Sequence, residues 1–202
     1  MTFFKKLMAW IIAFPALMFM LIFSATAADT DTALDTGDEA PEFSANDAEG
    51  ELWQSDVHMG NDKYLVVYFY PAAMTGGCTR QACSYRDLSD QLKQENIEVV
   101  GISGDSVKAL QVFKKAYDLN FTLLSDPDGS IAEKFGVPTS KGGSIKKTIE
   151  GIEQVLERGS SASRWTFVIG KDGKLLSKNT SVRPAMDAKD ILETIQKHEG
   201  KD

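Results

Sequence analysis

Tyr64-Leu-Val-Val-Tyr-Phe-Tyr70 is an unbroken run of aromatic and β-branched side chains, closed by Pro71. A strand solvated on one face alternates apolar with polar residues, whereas a continuous run of this kind marks a strand covered on both faces. Working outward from it, Gly76 and Gly77 precede a helical segment with Tyr85, Leu88 and Leu92 at i, i+3 and i+7. Ile97–Ser103 reads as the next strand. Val107, Leu110, Phe113 and Tyr117 then stripe a second helix, opened by Asp105 or Ser106 as its cap. A strand at Phe121–Leu124, a turn at Asp126–Gly129 and a short helix at Ile131–Phe135 follow. Trp165–Ile169 and Leu175–Ser177 flank Lys171-Asp172-Gly173, a hairpin signal, and Met186–His198 closes the chain as a helix with Ile191, Leu192 and Ile195 inward. Upstream, Phe43–Ala45 and Glu51–Gln54 read as short strands around a turn at Asn46–Gly50, an N-terminal β-hairpin extension. Ile145, Ile149, Ile152 and Leu156 recur at i, i+4, i+7 and i+11, which predicts a helix interrupted by Gly151, either a lid packed on the sheet or a docking surface. Strands alternating with helices, then a hairpin and a final helix, predict an α/β fold: a central mixed β-sheet flanked by helices.

Composition sets the limits on function. The 202 residues are 43% apolar and 25% charged, enough for one domain with a real core. Acidic side chains outnumber basic ones, 29 to 22, and the net charge of −7 argues against a nucleic-acid binder, which carries a basic surplus. Two cysteines exclude a disulfide-scaffold miniprotein and an all-cysteine zinc site, and two histidines, His58 and His198, leave little for a multi-histidine metal centre.

The first stretch stands apart from the domain. Lys5 and Lys6 precede the apolar run Leu7–Phe23, and Ala25-Thr26-Ala27 follows, the pattern of a secretory signal cleaved after Ala27. As a helix the run covers roughly 25 Å at ~1.5 Å per residue, slightly short of a ~30 Å bilayer core, so an uncleaved anchor formed by residues 7–23 stands as the alternative. Either reading exports the domain, to the periplasm. The polar stretch 28–36 is a tether and residues 37–202 are the domain.

Cys78 follows the glycine pair and falls in the first turn of the predicted helix, where unpaired backbone N–H groups and the helix dipole favour an anion and hence a thiolate. Cys83 lies five residues on. In an unbroken helix that spacing separates the Cα atoms by about 8.6 Å, and a disulfide tolerates no more than ~7 Å. A bond between these cysteines therefore requires local unwinding. Two readings stand on composition alone: a structural staple, common for exported cysteine pairs, and a redox pair that bonds only during turnover. The spacing does not match the Cys-x-x-Cys of thiol-disulfide oxidoreductases.

Pro71-Ala-Ala-Met-Thr75-Gly-Gly-Cys78-Thr79-Arg80-Gln81-Ala82-Cys83-Ser84-Tyr85-Arg86-Asp87 resembles the active-site segment of the peroxiredoxins. Within them it is similar to the peroxiredoxin Q (bacterioferritin comigratory protein) branch, whose resolving cysteine comes five residues after the peroxidatic one. The resemblance extends through Gly37-Asp38-x-Ala40-Pro41-x-Phe43, Val100-Gly101-Ile102-Ser103-x-Asp105-Ser106, Leu123-Leu124-Ser125-Asp126 and Arg164-Trp-Thr-Phe-Val-Ile169, almost the whole domain in order. It implies a thioredoxin-like fold and a thiol-dependent peroxidase with no cofactor and no metal. By that resemblance Cys78 attacks hydrogen peroxide or an organic hydroperoxide as thiolate and becomes a sulfenic acid, which Cys83 captures as a disulfide. A thioredoxin-like or other dithiol restores the pair by exchange. Thr75 places a hydroxyl against the peroxide and the thiolate, Pro71 ends the strand and shields the sulfur, and Arg164 brings a fixed positive charge from a distant strand. The protein is expected as a monomer or weak homodimer.

Gln81 fits a surface role as well as a site role, Arg86 and Asp87 read as helix-surface or structural groups, and His58 and His198 match no motif. Two departures stand out: Gly76 where the branch commonly has proline, which loosens the loop before Cys78, and a 138–163 segment longer than the branch's usual connection. Two other classes compete on the same kind of fold. A membrane-tethered copper chaperone would use both thiolates on Cu(I) but carries Cys-x-x-x-Cys and a distal histidine. A thiol-disulfide oxidoreductase would carry Cys-x-x-Cys.

Overall fold

The apolar run at 64–70 is the middle of a five-stranded sheet, and no side chain from Tyr64 to Tyr70 is more than 2% exposed. The computed structural model describes residues 34–149 and 151–200; the predicted signal or anchor and positions 28–33 of the predicted tether lie outside the described residues. In chain order the elements are β1 (Ser44–Asn46), β2 (Leu52–Gln54), β3 (Tyr64–Phe69), α1 (Gly76–Asp87), α2 (Ser89–Gln94), β4 (Ile97–Ser103), α3 (Val107–Ala116), β5 (Thr122–Ser125), α4 (Ser130–Lys134), β6 (Thr139–Ile149), β7 (Ile152–Ala162), β8 (Trp165–Ile169), β9 (Leu175–Asn179) and α5 (Asp187–His198). The sheet order is β5-β4-β3-β8-β9, with β3, β4 and β5 parallel and β8 and β9 antiparallel, the mixed sheet predicted.

Alternation along β3 builds two cores from one strand. Tyr64, Val66, Tyr68 and Tyr70 face Ala82 and Tyr85 of α1, Leu92 of α2, Leu110 and Phe113 of α3, and Ile191 and Ile195 of α5. Leu65, Val67 and Phe69 face the other way, onto Ile131 and Phe135 at α4 and onto Phe43 and Trp53 of the N-terminal hairpin. Burial on both faces is what a run without polar residues requires. The hairpin pairs Ser44–Asn46 with Leu52–Gln54: β1 lies one residue later than the predicted Phe43–Ala45, taking in Asn46 of the predicted turn, and β2 starts one residue after the predicted Glu51, while Phe43 and Trp53 turn into the core with ring centroids 5.4 Å apart.

Two expectations are corrected, and one choice left open by the sequence is decided. The stripe Tyr85, Leu88, Leu92 does not belong to one helix: Leu88 leaves helical geometry (ψ 7°), and α2 restarts after it with Asp90 in its first turn, where the dipole favours an acid. Ser106 alone caps α3, accepting from the Ala109 N–H at 3.3 Å, while the Asp105 carboxylate turns elsewhere. The largest change is at 138–163. The predicted lid helix is a two-stranded antiparallel hairpin, β6–β7, with Ile145 opposite Leu156 and Ile149 opposite Ile152. Positions mirrored about a two-residue turn, with Gly151 at φ +80°, carry the same spacing that a helical stripe carries. Burial settles the period at two: Ile145, Lys147 and Ile149 are half-buried while Ser144, Lys146 and Thr148 are exposed. Leu156 is 1% exposed and joins the core of α3, and the base of the hairpin is clamped by Gly159 N–H to Gly104 carbonyl at 2.9 Å.

One close approach governs how α1 sits on the sheet. Tyr68 stacks on Tyr85 of α1 with centroids 4.9 Å apart, and its ring has room only because residue 101 lacks a side chain: a Cβ there would stand 2.6 Å from the Tyr68 hydroxyl. Gly101→Ala is expected to destabilise the fold by about 1–3 kcal/mol through overpacking, read as a lowered urea midpoint at unchanged m-value. An unchanged midpoint would show that Tyr68 moves freely and does not fix α1.

Candidate active site

Strand register brings the distant arginine to the cysteine. β8 runs antiparallel to β3 with Trp165 opposite Phe69, so Arg164 arrives beside the C-terminal end of β3, where the chain enters α1. Cys78 is the third residue of α1, in its first turn, and is 2% exposed. Arg164 Nη2 donates to Cys78 Sγ at 3.2 Å, and Nη1 donates to Gln81 Oε1 at 2.5 Å. A guanidinium fork thus spans the sulfur and an amide three residues further along the same helix. The approach depends on Gly77, where a Cβ would lie 3.2 Å from Arg164 Nη2.

The loop before the helix is held from behind. Asp105, buried at the end of β4, accepts from the Ala73 N–H at 2.7 Å and the Ser103 hydroxyl at 2.8 Å through one oxygen. Arg158 of β7 brings Nη1 to 3.7 Å from the other. Burial pushes the Asp105 carboxyl above its usual range, partly offset by these donors. Met74 takes φ +61°, the left-handed region unusual for a residue with a side chain, two residues before α1 begins. Thr75 is the N-cap residue by backbone, yet its side chain does not cap: Oγ1 donates to the Ala72 carbonyl at 2.8 Å. Pro71 follows β3 directly after Tyr70, and its carbonyl accepts from the Ser161 hydroxyl of β7 at 3.1 Å.

Of the predicted residues, Arg164 and Cys78 are in direct contact, and Thr75 and Pro71 lie in the loop that delivers Cys78. Cys83 sits on the same α1, half-buried, and both thiols are free. Gln81, open in the sequence between surface and site, is wholly buried and touches Arg164. The sequence assigns no site role to three further residues: Tyr85 and Thr166, which lie inside the motif segments, and Asp187, which lies outside them. Asp187 at the start of α5 is wholly buried and accepts from Gln81 Nε2 at 2.7 Å, from the Tyr85 hydroxyl at 2.7 Å and from Thr166 Oγ1 at 2.8 Å. Burial raises its carboxyl, and burial followed by the neighbouring Asp187 charge raises the Tyr85 phenol. An aspartate opening a predicted helix reads as a dipole partner; only the tertiary fold turns it inward. Among the described residues no three His, Cys, Asp or Glu side chains converge as a metal site.

Residues 36–178 match the model of the AhpC/TSA family. The chain is 42% identical over 141 residues to a putative peroxiredoxin bcp of Coxiella burnetii, covering 70% of this chain and 85% of that protein. It is 42% identical over 142 residues to peroxiredoxin Bcp of Escherichia coli, covering 70% and 83%. With the chloroplastic peroxiredoxin Q of Sedum lineare it shares 37% over 161 residues, 79% and 77% of the two chains. Among solved structures, peroxidoxin BcpB of Mycobacterium tuberculosis superposes with TM-score 0.66 at 32% identity, over 81% of this chain and 97% of that one. A mutant of Xylella fastidiosa PrxQ superposes with TM-score 0.68 at 23% identity, over 83% and 99%, a likeness of fold. With a thioredoxin-like sheet, a buried cysteine under an arginine and these relatives together, the chain belongs to the AhpC/TSA family, as a peroxiredoxin of the Bcp and Q kind, an oxidoreductase that acts on peroxides and is served by a thiol reductant.

Proposed function

We propose that this peroxiredoxin works outside the cytoplasm, reduces hydrogen peroxide and organic hydroperoxides at Cys78, closes a Cys78–Cys83 disulfide, and is re-reduced by a thioredoxin-like dithiol. The observation that carries this reading is the 3.2 Å contact of Arg164 Nη2 with Cys78 Sγ in the first turn of α1. The guanidinium is aimed at the sulfur from 3.2 Å, and the same cation faces the charge that develops on the leaving oxygen. Membership of the peroxiredoxins supports this reading over a copper chaperone or a disulfide oxidoreductase.

In the first step the Cys78 thiolate attacks the outer peroxide oxygen. The O–O bond breaks, sulfur is oxidised to sulfenic acid, and the leaving oxygen takes a proton and departs as water or alcohol. Because the Thr75 hydroxyl already donates to the Ala72 carbonyl, its oxygen is left to accept from the incoming peroxide O–H. Pro71 closes the strand behind and shields the sulfur. In the second step the Cys83 sulfur attacks Cys78 Sγ, the S–O bond breaks, and hydroxide leaves with the Cys83 proton as water. Both cysteines lie within α1, where this spacing holds their Cα atoms at about 8.6 Å, so the disulfide forms only after α1 unwinds. An external dithiol then reduces the exposed bond by exchange. Export is supported by Lys5-Lys6, the run Leu7–Phe23 and Ala25-Thr26-Ala27, as a cleaved signal or a retained anchor. The molecule acts as a monomer or weak homodimer and, at net charge −7, binds no nucleic acid.

Cys78→Ser is expected to abolish peroxide consumption, while Cys83→Ser allows one turnover and leaves a sulfenic acid that a dimedone probe traps. Sustained turnover by Cys78→Ser in the presence of a dithiol would sink the assignment. Arg164→Ala is expected to slow the first step at least tenfold, about 1.4 kcal/mol of barrier. Arg164→Lys keeps charge but loses the planar fork and falls between; an Arg164→Ala variant reacting at the wild-type rate would reduce Arg164 to a surface charge. Oxidation with one equivalent of peroxide is expected to lower the melting temperature and to speed amide exchange in residues 78–88, leaving 64–70 protected. A higher melting temperature with 78–88 still protected would identify the bridge as a structural staple.

A further inference from the structure

Asp187 lies where α1, β8 and α5 meet, and it takes donors from the first two. Gln81 and Tyr85 are i and i+4 on α1, on the helix face that also carries Cys78. Thr166 is the second residue of β8, two residues after Arg164, which immediately precedes the strand. All three donate to one oxygen, Oδ2, and Oδ1 has no hydrogen-bond partner. A carboxylate only accepts, so the Gln81 amide must turn its NH2 toward Asp187 and its carbonyl oxygen away from it. That oxygen then meets Arg164 Nη1, which leaves Nη2 aimed at Cys78 Sγ. The orientation of the arginine fork is in this way decided two residues back, by a group that never reaches the sulfur.

We propose that Asp187 is a positioning residue that assembles the peroxide-reactive geometry of Cys78 and, by holding α1 folded, opposes closure of the Cys78–Cys83 disulfide. The proposal rests on the reading that Cys78 reacts and Cys83 resolves. Its second half follows from sequence position. Residue 81 lies between the two cysteines, so unwinding that lets their sulfurs meet withdraws Gln81 from Asp187, and Tyr85 lies two residues beyond. A buried carboxylate losing donors is unfavourable, so the same contacts that favour the first step hold back the second. Asp190, one turn along α5, does not substitute: its carboxylate is engaged by Arg183 at 2.8 and 3.0 Å. Removing the charge at 187 should therefore move the two steps in opposite directions.

The experiment measures both steps separately on the full chain. Sulfenic-acid formation at Cys78 is timed in a Cys83→Ser background, and disulfide closure is timed with Cys83 present after one equivalent of peroxide. Asp187→Asn is expected to slow the first roughly tenfold by misplacing the arginine and to speed the second. Adding Gln81→Glu to Asp187→Asn rebuilds the chain with its polarity reversed, since a carboxylate at position 81 accepts both from an amide at position 187 and from Arg164; sulfenic-acid formation is expected to recover most of its rate. Tyr85→Phe keeps the ring and removes one donor, so it should shift both steps the same ways by less, and it decides the matter should the Asp187 variants not fold. Both steps unchanged, both slowed together, or no rescue by the double exchange would overturn the proposal. A wild-type chain whose Cys78 does not react with peroxide would instead overturn the reading beneath it.

Discussion

The contact between Arg164 and Cys78 exists because two strands run in opposite directions. β3 leads through a short loop into α1, and β8 starts opposite the end of β3, so one end of the central strand gathers a helix mouth and the residue just ahead of an incoming strand. Had β8 been parallel to β3, Arg164 would lie at the far end of the sheet. The remaining site contacts depend on this arrangement: Gln81 is reached by the second nitrogen of the same guanidinium, and Thr166 lies near Asp187 because it is two residues along the same strand. The double burial of β3 supplies the rigid base, since a strand packed through Tyr64, Val66 and Tyr68 on one face and Leu65, Val67 and Phe69 on the other has no freedom to shift register.

Upon that base α1 has to meet two demands that conflict. It must be folded for Cys78 to sit in its first turn under Arg164, and in the proposed cycle it must open for Cys83 to reach. Its sequence is suited to both. Gly76 and Gly77 begin it, residues that lose more backbone freedom on becoming helical than any other, and Thr75 leaves the N-terminus without a side-chain cap. What keeps it in place is tertiary: Tyr85 stacked on Tyr68, and Gln81 and Tyr85 bonded to Asp187. A helix held by neighbours rather than by its own propensity can open without the sheet beneath it changing.

Much of this is legible in the sequence, and the misses share a cause. The central strand, the order of elements, the place of Cys78 in a first turn and the candidacy of Arg164 all rest on local signals or on motif spacing. The 138–163 hairpin escapes a reading by period because Ile145, Ile149, Ile152 and Leu156 satisfy a helical repeat and also mirror about a tight turn; only which residues are buried distinguishes the two. Gln81 looks equally like a surface amide, and Asp187 like an ordinary acid at a helix start, because a polar residue's burial is decided by partners far away in the chain. Arg164, Gln81 and Asp187 come from three separate parts of the chain, and no window of sequence contains their meeting.

Two buried carboxylates bracket the cysteine, and they differ in what unwinding would do to them. Asp105 holds the loop before Cys78 through the Ala73 N–H, with Ser103 and Arg158 as its other neighbours, none of them on α1. Asp187 holds α1 itself, through two of its residues. In the proposed cycle, opening α1 would break none of the Asp105 contacts directly, nor the Thr75 bond to Ala72, since none of these partners lies on α1. On the proposed cycle the loop that delivers the cysteine would stay set while the helix after it yields. Refolding would then have only to re-form the helix against a preset entry and the Asp187 carboxylate, which returns Gln81, and with it the arginine, to the sulfur.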